Sequence, residues 1–79
     1  MNRPIKHSLT IRGHRTSVSL EDEFWQAFRR IAETQGVGLN ELAARIDTER
    51  GTSSGLASAI RIFVLREAEA RAQRSSHEE

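Results

Sequence analysis

The sequence predicts a mainly α domain led by one short strand. Three features predict it. Thr16, Val18 and Leu20 alternate with Arg15, Ser17 and Ser19, which is the period of a strand with one face β-branched or apolar and the other polar. From Phe24 onward apolar residues return at helical spacing in three runs. Gly36 and the Gly/Ser-rich segment 51–55 separate those runs.

Taken in order, residues 1–7 are polar, include the only proline, Pro4, and are expected to form a flexible basic arm. Leu9 and Ile11 then alternate with Ser8, Thr10 and Arg12, a second strand-like signature. Their parity is odd, whereas Thr16, Val18 and Leu20 are even, and Gly13 stands where the parity flips. A glycine there fits a bulge or a tight turn. Residues 8–12 therefore either extend the first strand past a bulge or fold back on it as a hairpin. The first helix is expected to begin near Glu21 or Asp22, because Glu21, Asp22 and Glu23 suit the positive end of a helix dipole. Phe24, Phe28 and Ile31 give it an apolar stripe, and Gly36 fits its left-handed stop. A second helix should span Leu39 to Arg50, with Leu39, Leu42, Ala43 and Ile46 buried and Gly51 ending it. Ser53 or Ser54 can cap a third helix whose stripe is Leu56, Ala59, Ile60, Phe63 and Val64. The folded domain is expected to span residues 8–72, with 73–79 a disordered tail.

Seventy-nine residues allow one domain. Such a chain buries only about 60–65% of its unfolded surface and is marginal alone. With no cysteine there is neither a disulfide nor a thiolate site to help, so self-association is the remaining common route to a sufficient core. An isolated strand also needs a partner for its edge, and the same strand of a second copy is the expected one. Two such strands make a polar ribbon narrow enough for the major groove of DNA. Neither an apolar run of the roughly 18–20 residues that span a bilayer nor a secretory leader is evident, so a soluble, cytoplasmic protein is expected. The net charge is only +1, but its distribution is uneven. Residues 1–20 hold Arg3, Lys6, Arg12 and Arg15 and no acid; the other eight basic groups share the rest of the chain with all eleven acids. A basic leading segment on a mildly acidic body points to a polyanionic partner.

The alternating strand, the helix stopped by Gly36 and the second helix starting just after it resemble the ribbon-helix-helix (Arc/MetJ-like) superfamily. Ile11 to Glu21, reading I-R-G-H-R-T-S-V-S-L-E, is similar to a bacterial subfamily that carries that string. Phe24-Trp25, Leu39-Asn40-Glu41-Leu42, Ile46-Asp47 and Arg61 to Leu65 extend the likeness over most of the chain. The resemblance implies an intertwined homodimer, with a two-stranded antiparallel intermolecular ribbon inserted into the major groove and a third helix added. It implies a transcriptional regulator in which Arg15, Ser17 and Ser19 face the bases while Gly38, Leu39 and Asn40 grip phosphate. Two positions depart from the pattern. Gly38 stands where the superfamily often has a hydroxyl, leaving only backbone amides, and Ser17 and Ser19 are short, weakly discriminating readers.

The chemistry of the residues fits that outline. A guanidinium at Arg15 can donate two parallel hydrogen bonds to guanine O6 and N7, worth about 1–3 kcal/mol of discrimination; the bland alternative is an ion pair with an acid on the body. Arg3, Lys6, Arg12 and His14 are candidate phosphate contacts, each cation adding close to one unit of salt dependence. Outward amides at Gly38, Leu39 and Asn40 form a helix-terminus anion site, unless Asn40 hydrogen-bonds within its turn. The expected dimer core is Thr16, Val18, Leu20, Phe24, Phe28, Ile31, Leu42 and Ile46. Trp25 is expected at the dimer interface or on the third helix rather than stacked on bases. The three histidines lie in the arm, strand and tail without a metal partner at helical spacing, and segment 51–55 lacks the lysine of a phosphate loop, so no enzyme, metal or cofactor is expected. The rival reading is a protein-interaction module, an antitoxin-like or adaptor dimer whose third helix and tail bind a protein, favoured by the near-neutral total charge and the short serine readers.

Overall fold

A computed structural model describes residues 3–51 and 55–77. Strands β1 (Ile5–Ile11) and β2 (His14–Leu20) are followed by helices α1 (Asp22–Gln35), α2 (Leu39–Arg50) and α3 (Leu56–His77). The partner of β2 is therefore β1 of its own chain. The two pair antiparallel from Ile5↔Leu20 to Ile11↔His14. The β2 strand is thus paired on one edge within its own chain, and its other edge has no strand partner among the described residues. Of the two courses open to residues 8–12, the chain takes the hairpin. Its two-residue turn has φ of 51° at Arg12 and 79° at Gly13. Positive φ at both central positions is the mark of a type I′ turn, whose twist matches that of the flanking strands. The odd-to-even parity switch follows directly, because paired positions across this turn sum to an odd number.

Ile5, Lys6 and His7 are strand residues, so the arm ahead of the fold is shorter than the expected 1–7. At the other end α3 stays helical to His77, through most of the expected tail 73–79. Ala, Arg, Glu and Gln dominate that end, and their helix propensity carries the helix past the last apolar anchor. The expected Ser53 or Ser54 cap lies outside the described residues.

The helix boundaries follow local chemistry. Asp22 and Glu23 occupy the first turn of α1. Gly36 closes it at φ 70°, with Gly36 N–H donating to Glu33 O and Val37 N–H to Ala32 O. That is a Schellman stop, and it turns the chain into α2 two residues later. The hairpin lays Leu9, Ile11, Val18 and Leu20 onto Phe28 and Ala32 of α1, Leu42, Ala43 and Ile46 of α2, and Ile60 and Val64 of α3. Phe28, Leu20 and Ile60 are fully buried. The ring of Phe28 meets Phe63 edge-on at 6.4 Å. Thus Val18, Leu20, Phe28, Leu42 and Ile46, expected at the heart of a dimer, are already buried within one chain. Thr16 is half-buried, and Phe24 and Ile31 pack at the margin of the core.

Candidate nucleic-acid interface

The hairpin has one face in the core and one in solvent. On β2 the solvent row is Arg15, Ser17 and Ser19, all exposed. On β1 it is Lys6, Ser8 and Thr10, also exposed. The register sets Lys6 opposite Ser19, Ser8 opposite Ser17 and Thr10 opposite Arg15. One chain thus presents six contiguous outward positions, two cations and four hydroxyls, without an acid or an apolar side chain. The alternation of Ser8 and Thr10 with Leu9 was readable in the sequence. Their place beside Arg15 was not, because it depends on the hairpin.

Which edges are open follows from the turn. A two-residue loop makes Ile11↔His14 a hydrogen-bonded pair, and such pairs recur at every second position. The backbone groups of Thr10, Ser8 and Lys6 then point away from β2, and those of Arg15, Ser17 and Ser19 away from β1. Two contacts agree with this phase. Thr10 N–H donates to Asn40 Oδ1 at 3.0 Å on the outer edge of β1, and Arg61 Nη2 donates to Ser19 O at 3.4 Å on the outer edge of β2. Among the described residues no strand pairs with that outer edge of β2.

Arg15 forms no ion pair among the described residues, so its guanidinium is not drawn onto the body. Arg12 is. It reaches from the turn to Asp47 Oδ2 and the Ala44 carbonyl, each at 3.3 Å, and to the Thr48 hydroxyl. These bonds tie the hairpin tip to α2. His14 is exposed beside the turn, and Arg3 is exposed just ahead of β1.

The start of α2 lies against β1, not β2. Gly38 adopts extended backbone as its N-cap and offers no side-chain cap. Gly38 and Asn40 are exposed, and Leu39 is partly buried. Asn40 uses its carbonyl oxygen across the fold, on Thr10, rather than within its own turn.

At the far end of the hairpin Glu21 accepts a 2.9 Å ion-paired hydrogen bond from Arg61. This bond, together with a backbone hydrogen bond at Glu21 itself, holds its carboxyl below the usual 4.5 despite opposing desolvation. Arg61 also sits over the Phe24 ring, 5.8 Å from its centre. Within the chain Trp25 stacks on His7 of β1, ring centres 3.8 Å apart and 6° from parallel. That contact anchors the start of β1 on α1. Among the described residues no three His, Cys, Asp or Glu come together, and no helix is long and apolar enough to cross a membrane.

No curated protein and no solved structure matches the chain. A family model, the ribbon-helix-helix domain, matches residues 4–68, from the residue before β1 well into α3. Domains of this family generally dimerise and bind DNA, and the fold is a non-enzymatic one. With the match running over most of its length, the chain belongs to the ribbon-helix-helix domain family.

Proposed function

We propose that this protein is a homodimeric, cytoplasmic transcriptional regulator of bacterial type that binds double-stranded DNA through the outward face of its hairpin. One observation carries the reading: Arg15, Ser17 and Ser19 stand in one exposed, acid-free row on a strand whose outer edge has no strand partner among the described residues. Two copies joined along that edge bring two such rows together about the two-fold axis. The joined rows face the major groove, where Arg15 donates two parallel N–H hydrogen bonds to guanine O6 and N7 and the serine hydroxyls adapt to neighbouring bases. Arg3, Lys6 and His14, with the backbone amides at Gly38, Leu39 and Asn40, meet phosphates. Arg12 positions the hairpin from its bonds to α2.

Fluorescence-anisotropy titration of random-sequence and genomic duplexes at several salt concentrations tests this. Affinity is expected to fall steeply with salt. Arg15→Ala is expected to weaken the preferred sequence by about 1–3 kcal/mol, roughly 5- to 150-fold, for each copy that contacts guanine, with a much smaller effect on random duplex. Salt-independent binding, or an Arg15→Ala protein that binds like the wild type, contradicts the reading. The protein-interaction alternative draws support from the exposed Ile62 and Leu65 on α3. Stoichiometric capture of one host protein by a chain that protects no DNA favours it.

A further inference from the structure

We propose that the β1 row, Lys6, Ser8 and Thr10, is a phosphate-gripping strand that flanks the base-reading strand β2. The inference rests on the DNA-binding reading above and adds residues and a division of labour to it. With β1 paired inside the chain, joining two β2 edges yields four strands in the order β1, β2, β2 of the partner, β1 of the partner. Neighbouring strands lie about 4.8 Å apart, so the outermost axes are about 14 Å apart. The major groove is about 12 Å wide. The inner pair enters it; the outer pair lies over its rims, where the phosphates are.

The side chains suit those places. An ammonium and hydroxyls bind phosphate oxygens without reading sequence, whereas a guanidinium fork can read guanine. Lys6 and Thr10 lie at opposite ends of the β1 row, and Thr10 stands directly across from Arg15. The Asn40–Thr10 bond fixes the start of α2 on the far side of β1. A phosphate at the groove rim therefore meets β1 before it meets the α2 amides. All three side chains are exposed, and none is used in the core.

The test compares salt dependence with base preference. The probe is a short random-sequence duplex, supplemented by selection of preferred sites from a random pool. Lys6→Ala is expected to lower the slope of log K against log salt by close to two, about 0.9 for each copy, while the selected sequence stays the same. Lys6→Arg restores the slope. Ser8→Ala with Thr10→Val is expected to weaken binding several-fold at fixed salt with the slope retained. Helix content by circular dichroism should match the wild type in each. If the β1 variants bind as the wild type does while Arg15→Ala weakens binding, the β1 assignment fails and the β2 reading stands. If Lys6→Ala changes the selected sequence, β1 reads bases and the proposal is overturned. If the wild type itself shows no salt-dependent binding and Arg15→Ala changes nothing, both readings fall together.

Discussion

At the residue scale, the ends of the hairpin are held by two arginines. Arg12 joins the turn to α2, and Arg61 joins α3 to Glu21 and to the Ser19 carbonyl. The second tie titrates. Because the carboxyl of Glu21 is depressed in the fold, its stabilising effect is fully present above its ordinary value of 4.5 and is lost as pH falls through the lower folded value. Glu21→Gln keeps the shape and removes the charge. It should melt below the wild type at neutral pH, and the gap should close as the solution is acidified below 4.5. Thermal melts across that range check this; a gap that stays constant into strong acid contradicts it. Neither tie was legible in the sequence, since their bonds join residues 32 to 42 positions apart. Asn40 shows the same gap: its place in the first turn of the second helix suggested an anion site or a bond within that turn, but nothing local could assign its oxygen to Thr10.

At the element scale, the hairpin is the feature that sequence reading left open. The alternation, the parity switch and Gly13 were all visible, yet they fitted a bulge as well as a turn. The positive φ at both Arg12 and Gly13 decides for the turn. Arg12 is the one described non-glycine residue with positive φ, and its bonds to α2 offset that cost. Gly13 has open space around a would-be Cβ, so a side chain there meets a conformational penalty rather than a clash. Gly13→Ala should destabilise the fold by about 1–2 kcal/mol, lowering Tm by about 4–8 °C per kcal/mol. Calorimetry checks it, and an unchanged Tm contradicts the type I′ assignment. The helices were legible because their stripes, the acidic start of α1 and Gly36 are local signals. The far end of α3 was not, since its thinning apolar pattern hid residues of high helix propensity.

At the scale of the whole molecule, the hairpin changes what a dimer is for. The core residues expected from the sequence are largely buried within one chain, so a second copy is not needed to cover Val18, Leu20 or Phe28. In the proposed dimer it covers the outer edge of β2 and doubles the outward face. Apolar surface at Ile62 and Leu65 of α3 also lies open in the single chain. The outward row Arg15, Ser17 and Ser19 was readable from parity alone. The β1 row beside it depends on long-range pairing, which is why only Lys6 of that row was singled out from the sequence, and as part of an arm.

Joining along β2 has a direct test in a chain without cysteine. Antiparallel pairing of the open edges about Ser17 places the two copies of that residue about 5.5 Å apart at Cα, within disulfide reach. Ser8 lies one strand further out on each side, about 14 Å from its mate. Mild oxidation of Ser17→Cys at micromolar concentration should give a covalent dimer in high yield. Ser8→Cys under the same conditions should remain a single chain. A Ser17→Cys protein that stays monomeric, or crosslinks no better than Ser8→Cys, contradicts the account.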